Sequence, residues 1–304
     1  MAESPAVAAL RSMLQSPVAV GEPLSRHTSF RIGGPAELFV QVKSTLDLAR
    51  ALRFASASQT PVHLLGSGTN VLVADEGIRG LVLKLDDEFK EVSWDGPQVT
   101  AGAAVPLIGL ARRATDMGLS GLEFGAGIPG SLGGAVVMNA GTYLGCIGDV
   151  TRRVWLMDAR GELAEVSKDA MGFGYRTSLL SREPRIVCKV EMVLSPGDRE
   201  AMTTGLKEHL TRRAATQPLS FPSAGSCFKN PPGDYAGRLI EAVGAKGWRS
   251  GGAQVSELHA NFLVNTGHAT AKDVLALMER VKAAVRAQFG VELEPEIKIW
   301  GVGD

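Results

Sequence analysis

The segment from Phe124 to Gly148 constrains this chain most, because it runs for 25 residues without a charged side chain and contains eight glycines. A membrane-spanning helix would not contain so many helix breakers, with Pro129 and Asn139 added to the glycines. Soluble proteins concentrate glycine where the backbone approaches a large ligand and presents bare N–H groups to it. We therefore predict that this segment lines a cofactor.

Composition narrows the class of protein further. The 36 glycines among 304 residues are clustered rather than periodic, which excludes a collagen-like chain. The 32 basic and 32 acidic residues balance, so net charge favours neither a nucleic-acid partner nor a membrane surface. The first residues include Glu3 and no long apolar stretch, which is not typical of a signal peptide. The odd number of cysteines, three, argues against a disulfide framework, so we expect a reduced cytoplasmic enzyme. Neither the cysteines nor the five histidines have metal-ligand spacing, so we expect no metal site.

Hydrophobic periodicity predicts a mixture of helices and strands. Helices are predicted at 5–15, from Ser44, at 106–117, 199–215 and 235–243, and from Thr270 to about 288. Strands are predicted at 36–42, 61–65, 71–73, 81–85, 91–94, 99–101, 154–158, 162–166, 186–194 and 261–264, with a last alternating strand over 291–300. Ser44 and Asp47 are predicted to resemble a capping box.

A second glycine cluster, Gly66-Ser67-Gly68-Thr69-Asn70, follows a predicted strand. Small residues there form a nest of N–H donors that suits a diphosphate. A Rossmann fingerprint would open a helix at this point, but the next residues are typical of another strand, so that fold is excluded. Alone, the cluster is as well explained by a tight turn without a ligand. Together with the first segment, it predicts a dinucleotide held between two glycine-rich loops.

The loop from Phe221 to Pro231 combines hydroxyl groups, an amide, a cation and two prolines within eleven residues. Its prolines stiffen it, and a rigid loop that presents the Ser226 hydroxyl suits a site that must place one proton donor accurately. The nucleophile-elbow pattern is absent, which argues against a covalent hydrolase. The alternative is a hydroxyl that bonds its own loop. The neighbouring Cys227 is interpreted as a small buried residue rather than a reactive thiol.

Two further motifs are ambiguous by themselves. Arg176, beside Tyr175, could clamp a carboxylate or phosphate, although a surface salt bridge explains it equally well. In the last predicted strand, alternation places Glu294, Glu296 and Lys298 on one face, which is otherwise an ordinary solvated face.

In this order, the motifs resemble the bacterial UDP-N-acetylenolpyruvoylglucosamine reductase family, flavoenzymes that make UDP-N-acetylmuramate for peptidoglycan. The resemblance runs from about Arg26 to Gly301 and rests on 27–36, 65–72, 127–135, 139–141, 175–176, the Ser226 loop and Glu296. It implies an α+β chain with a two-subdomain FAD-binding domain of the vanillyl-alcohol-oxidase (PCMH) type. It also implies a smaller α+β substrate-binding domain, and NADPH as the hydride source.

The resemblance suggests an N-terminal extension at 1–24, an FAD-binding domain at 25–197 (subdomains 25–86 and 87–197) and a substrate domain at 198–304. The final strand, 291–301, would return toward the flavin. The expected partners are a UDP-sugar substrate and NADPH, without nucleic acid or membrane insertion, in a monomer. Only fifty residues separate Arg176 from Ser226, as in the shorter subtype that lacks an inserted loop with an extra substrate-binding tyrosine.

Functional residues are carried over by motif. Ser226 would give a proton to C2 after hydride reaches C3 from flavin N5, with Arg176 and Glu296 flanking the substrate carboxylate. Tyr175, Asn230 and Arg213 would contact substrate. FAD would be held by Arg31, Gly66, Ser67, Gly68, Thr69, Asn70, Ile128, Pro129, Gly130, Ser131, Gly133, Gly134, Ala135 and Asn139. The family often has arginine at Lys298, so the role of that residue stays open.

Two other functions fit part of the pattern. Another flavin oxidase or dehydrogenase on the same fold would explain the glycine loops but not the Ser226 loop together with Glu296; such relatives often tether flavin covalently, and Cys146 is the nearest candidate here. A nucleotide-binding module without enzymatic activity would bind ligand tightly and consume no NADPH.

Overall fold

The computed structural model of the protein describes residues 5–302, which form eight α-helices and eighteen strands. The helices are α1 (Pro5–Met13), α2 (Thr45–Ala57), α3 (Leu107–Asp116), α4 (Leu132–Met138), α5 (Ile147–Val150), α6 (Arg199–Thr216), α7 (Ala236–Ala242) and α8 (Ala271–Phe289). The strands are β1 (Val18–Pro23), β2 (Pro35–Val42), β3 (Val62–Leu64), β4 (Val71–Val73), β5 (Ile78–Leu85), β6 (Val92–Asp95), β7 (Gln98–Gly102), β8 (Leu119–Ser120), β9 (Gly141–Thr142), β10 (Gly145–Cys146), β11 (Thr151–Met157), β12 (Leu163–Ser167), β13 (Ile186–Val193), β14 (Ser195–Pro196), β15 (Arg249–Ser250), β16 (Ala253–Val255), β17 (Leu263–Asn265) and β18 (Lys298–Trp300).

The chain divides into two compact units that interleave along the sequence. Unit 1 contains the described residues up to Val20, then Leu38–Ser67 and Gly80–Thr211. Unit 2 contains Gly21–Glu37, Gly68–Arg79 and the described chain from Arg212 onward. The domain boundaries suggested by the sequence at 24, 86 and 197 stay a prediction.

Unit 1 is built on an antiparallel sheet in the order β12-β11-β13-β7-β6. Its inner face carries buried side chains such as Leu156 and Val190, and α4 packs against β13 with Leu132 and Val136 fully buried. This packing explains why a helix forms inside a glycine-rich segment: tertiary burial outweighs the poor helix propensity of the two glycines in its first turn. A four-stranded sheet has the order β1-β2-β5-β3, in which β5 runs parallel to β3.

Unit 2 contains a small antiparallel sheet, β15-β16-β17, and the parallel pair β4–β18. Its core brings together residues distant in sequence, including Phe30, Leu72, Phe228 and Val281, each at most 1% exposed. The predicted cap of α8 is confirmed, because Thr270 Oγ1 accepts from the Asp273 amide while the Asp273 carboxylate accepts from the Thr270 amide.

Three local predictions need correction. Ser44 caps α2, but the carboxylate of Asp47 accepts hydrogen bonds from Gln15 and Ser16, so it does not complete a capping box. Helix α4, within the first glycine-rich segment, is missing from the helices predicted from the sequence.

The predicted strand over 291–300 is also wrong in length. Only Lys298–Trp300 forms a strand, and Leu293 and Ile297 are buried at a spacing of four rather than two. Pro295 between them has no N–H group, and prolines interrupt ladder hydrogen bonding. Lys298 and Glu294 are exposed and Glu296 is half-buried, whereas the intervening Ile297 is buried.

The helices over residues 5–302 include none with the length and apolar character needed to cross a bilayer.

Candidate functional site

The two glycine-rich loops approach each other within unit 1. A Cβ atom added at Gly66 would lie 2.8 Å from Ser131 Oγ, so a side chain at this position would require the Ser131 hydroxyl to move. Ser131 also begins α4 as its N-cap residue. The predicted pairing of the two loops is therefore supported at the point where Gly66 and Ser131 meet.

Several backbone N–H groups of these loops have no hydrogen-bond acceptor within the described part of the protein. Across residues 5–302, the unit 1 amides of Gly66, Ser67, Gly130 and Ser131 donate no hydrogen bond to another protein group. Phosphate oxygens are well suited to such nests of amides. The donor set therefore fits the diphosphate of a dinucleotide such as FAD.

A tight turn in unit 1 presents Tyr175 and Arg176. Gly174 and Thr177 hydrogen-bond each other across the turn, with N···O distances of 3.1 and 3.3 Å. The Arg176 guanidinium lies 5.2 Å from the Tyr175 ring centroid and donates to the carbonyl of Gly141 at 3.4 Å. A planar cation is thus held beside the first glycine-rich segment.

Asn139 connects this turn to the same segment. Its Nδ2 donates to the Gly174 carbonyl at 2.9 Å, and its Oδ1 accepts from the Gly148 amide at 3.0 Å. Asn139 is 8% exposed and has a φ of 43°, a left-handed conformation that asparagine tolerates better than most residues. Its side-chain amide therefore positions the backbone around Arg176.

In unit 2, the Ser226 loop pairs with the segment that contains Glu296. The Glu296 amide donates to the Cys227 carbonyl at 2.8 Å, and Phe228 forms a β-bridge with Pro295. In this register Glu296 lies opposite Cys227, one residue from Ser226. Two residues singled out separately in the sequence are thus neighbours in the structure.

Asn70, at the end of the second glycine loop, holds the other edge of the Glu296 segment. Its Nδ2 donates to the Glu296 carbonyl at 3.3 Å, and its own carbonyl accepts from the Lys298 amide at 3.0 Å. Within unit 2, one asparagine therefore joins the predicted cofactor loop to the backbone of the segment that carries the predicted catalytic residue Glu296.

Ser29 ties the same loop to the start of the Ser226 loop. Its amide donates to the Gly68 carbonyl at 2.9 Å, and its hydroxyl donates to the Ser223 carbonyl at 2.6 Å. Gly68 has a φ of 66°, and a Cβ there would lie 2.0 Å from the His27 carbonyl oxygen, so another residue would collide with backbone. Arg31, two residues after Ser29, is exposed with a φ of 56°.

Cys227 is fully buried, which confirms its interpretation as a packing residue. Burial raises the pKa of its thiol to about 12, so the nucleophilic thiolate is suppressed at neutral pH. Its side chain fills the core while the adjacent Ser226 remains half-buried.

Of the three predicted substrate contacts, Tyr175 lies in unit 1, whereas Asn230 and Arg213 lie in unit 2 at separate places along the chain. Asn230 is exposed, and its Oδ1 accepts from the Ala236 amide at the start of α7. Arg213 donates to Gln217 Oε1 at 2.9 Å, and desolvation by burial lowers the pKa of its guanidinium. Both side chains thus have structural partners.

Asn261 and Ser29 were not identified as individual functional residues from the sequence. Ser29 lies inside one matched motif, but Asn261 lies in a strand-like stretch with no motif. Its side chain hydrogen-bonds to the backbone of Phe228 in the Ser226 loop, a contact between residues 33 positions apart in the sequence. Among residues 5–302, no cluster of three or more His, Cys, Asp or Glu side chains could hold a metal ion.

Comparisons with known proteins agree with this arrangement. Residues 36–167 match the family described as "FAD binding domain", and residues 217–300 match "UDP-N-acetylenolpyruvoylglucosamine reductase, C-terminal domain". The chain is 50% identical over 300 residues to UDP-N-acetylenolpyruvoylglucosamine reductase 2 of Symbiobacterium thermophilum, covering 98% of this chain and 97% of that one. It is 49% identical over 294 residues to the reductase of Moorella thermoacetica, covering 97% of each.

A solved structure gives the same relationship. The UDP-N-acetylenolpyruvylglucosamine reductase of Thermus caldophilus superposes with a TM-score of 0.81 at 38% identity, covering 94% of this chain and 99% of that one. The predicted fold class, an α+β chain with an FAD-binding domain of the vanillyl-alcohol-oxidase type, is confirmed by these matches.

Proposed function

Because the chain belongs to the UDP-N-acetylenolpyruvoylglucosamine reductase family, a family of FAD-dependent oxidoreductases, we propose that it reduces UDP-N-acetylenolpyruvoylglucosamine to UDP-N-acetylmuramate. NADPH is the proposed reductant, and the product is a peptidoglycan precursor. The observation that supports this reaction most is the pairing of the Ser226 loop with Glu296, with Asn70 of the glycine loop on the other side. A flavoprotein of another specificity would account for the glycine loops but not for a Ser226 loop paired with the Glu296 segment.

The proposed FAD site uses amides of both glycine loops that have no acceptor within the described part of the protein. The amides of Gly130 and Ser131, and those from Gly66 to Asn70, would bind the diphosphate. Arg31 would add a cation, and Ile128, Pro129, Gly133, Gly134, Ala135 and Asn139 would shape or support the loop. FAD, when bound, supplies the hydride that reaches C3 of the enolpyruvyl group.

The protein must then stabilise negative charge and deliver a proton. Charge that develops at C2 spreads into the substrate carboxylate, where Arg176 supplies a fixed cation and a protonated Glu296 donates a hydrogen bond. Ser226 gives its hydroxyl proton to C2, which is a strong enough base to accept it from a weak acid. Tyr175, Asn230 and Arg213 are proposed to orient the sugar nucleotide.

The test separates the two half-reactions of Ser226→Ala by stopped-flow absorbance. We expect flavin reduction by NADPH at the parent rate and flavin reoxidation by the enolpyruvyl substrate slowed about 10²–10⁴-fold. Ser223→Ala is the matched control, because it removes a hydroxyl from the same loop and keeps the carbonyl that accepts from Ser29. Equal slowing of both half-reactions would refute the proton-donor role.

The assay also separates the alternative functions. A flavin enzyme of different specificity would consume NADPH at a rate independent of the enolpyruvyl sugar nucleotide, and a binding module would consume none. Denaturation should release the yellow cofactor from the protein, whereas a covalent tether at Cys146 would retain it.

A further inference from the structure

Asn261 is buried directly behind the Ser226 loop and is not part of any site described so far. It lies just before β17 and is 4% exposed. Its Oδ1 accepts from the Phe228 amide at 3.0 Å, and its Nδ2 donates to the Phe228 carbonyl at 2.8 Å. One side-chain amide therefore satisfies both backbone groups of a single loop residue, as a neighbouring strand would.

The backbone of Asn261 continues the same contact. Its carbonyl accepts from the Cys227 amide at 2.8 Å, and Ser226 forms a β-bridge with Phe262. The opposite edge of the loop is held by Glu296, whose amide donates to the Cys227 carbonyl, and by Glu294, whose carbonyl accepts from the Lys229 amide. The loop is thus fixed from two sides.

These hydrogen bonds must hold a segment that does not fold as a regular strand. Gly225, immediately before the serine, has a φ of 78°. Cys227 and Phe228 are both buried, so the strict alternation of a strand is broken after Ser226. Without a clamp, a segment of this kind has several accessible conformations, and the direction of the Ser226 hydroxyl would vary with them.

We propose that Asn261 is a positioning residue for the proton donor Ser226, acting through the backbone of Cys227 and Phe228. This inference rests on the proposed function for its catalytic consequence, but its structural part stands alone. Asn261 contributes to the step that needs the Ser226 proton and to no other, because all of its loop contacts lie within the two residues after that serine. A displacement of about 1 Å at a reacting group costs about 100-fold in rate.

The first experiment uses Asn261→Ala in the FAD-loaded protein. We expect flavin reduction by NADPH at the parent rate, unchanged substrate affinity, and reoxidation by substrate slowed about 10–100-fold. The matched control is Ser256→Ala, since the Ser256 hydroxyl is buried nearby and also accepts two hydrogen bonds, from the amides of Leu258 and His259. If Asn261 had a purely structural role, Asn261→Ala would slow both half-reactions, or Asn261→Ala and Ser256→Ala would slow reoxidation equally. Either result would overturn the proposal.

A rescue experiment uses Asn261→Asp. A protonated carboxyl group has the acceptor and donor geometry of an amide, whereas an ionised one presents an oxygen to the Phe228 carbonyl and repels it. Because burial favours the neutral acid, the reoxidation rate of the variant relative to the parent should rise as pH falls. A ratio that is constant with pH would contradict the two-bond clamp.

A third measurement does not depend on turnover. Cys227 is fully buried and adjacent to Ser226, so its alkylation by iodoacetamide, followed by peptide mass spectrometry, reports opening of the loop. We expect at least a tenfold faster labelling in Asn261→Ala than in Ser256→Ala, with Cys188 unchanged in both. Faster labelling in a protein that does not turn over the enolpyruvyl substrate would reject the proposed function and keep the clamp, whereas unchanged labelling would reject the clamp.

Discussion

At the residue scale, several proposed site residues have backbone conformations that non-glycine side chains rarely adopt. Arg31, Asn139 and Arg176 have φ values of 56°, 43° and 54°. Such a conformation costs of order 1 kcal/mol and persists where surrounding contacts enforce it. For Arg176, those contacts are the hydrogen bonds between Gly174 and Thr177 across its turn and the hydrogen bond that the Asn139 side chain donates to the Gly174 carbonyl. We infer that the unfavourable backbone conformation of Arg176 lowers local stability and is retained because it orients the guanidinium group.

Replacement by glycine tests this inference. In Arg176→Gly the relief of strain, about 1 kcal/mol, should offset much of the lost contacts, so the unfolding midpoint should change little. Reoxidation of the flavin by substrate should nevertheless slow about 10²–10³-fold, as when a charge-stabilising donor is removed. The control is Gln59→Gly, an exposed position with a φ of 52° after α2, where stability should rise and turnover should be unchanged. A large loss of stability in Arg176→Gly alone would assign the residue a structural role.

At the scale of elements, α8 shows how a helix end responds to pH. The amide of Thr270 bonded to the Asp273 carboxylate holds the pKa of that carboxyl group below its usual value. Because the folded-state pKa lies below the unfolded-state one, ionised Asp273 contributes its full stability above roughly pH 4. That contribution is lost as pH falls through the folded-state pKa.

Hydrogen–deuterium exchange at the first turn of α8 measures this effect locally. Asp273→Asn should speed exchange relative to the parent at pH 6, and the difference should narrow as pH is lowered through the folded-state pKa of the parent carboxyl group. Thr270→Ala, which removes the reciprocal cap, should cost about 1 kcal/mol across the same pH range. A difference between Asp273→Asn and the parent that is constant with pH would refute the role of the charge.

The sequence predicts elements well where their signals are local. The cap and apolar stripe of α8 lie within twenty residues and identify the helix, and the glycine loops identify a cofactor segment. Helix α4 is different, because its glycines disfavour a helix and only burial against β13 forms it. The Glu296 segment pairs with a loop almost seventy residues away, and Asn261 acts through that loop, so no nearby pattern could predict either contact.

At the scale of the molecule, unit 2 is assembled from three separate stretches of chain. The stretch from Arg212 onward contains Ser226, Asn261 and Glu296, but it is completed by the other two. Its strand β18 pairs with β4, and the first two amides of α8 donate hydrogen bonds to the Asp75 carboxylate. The region matched as a C-terminal domain, 217–300, therefore lacks part of its own core.

The core side chains that lie outside residues 212–304 contribute enough stability that this region should not fold alone. Phe30, Ile32 and Leu72 are at most 2% exposed in the core of unit 2 and lie outside 212–304. Burial of three such side chains is worth about 5–9 kcal/mol, comparable to the whole stability of a domain. A fragment of residues 212–304 should therefore show no cooperative urea transition by circular dichroism and poor dispersion of its amide NMR signals, whereas the full chain under the same buffer should unfold cooperatively. A sharp transition in the fragment would mean that β4 and the Phe30 segment only cover a core that forms without them.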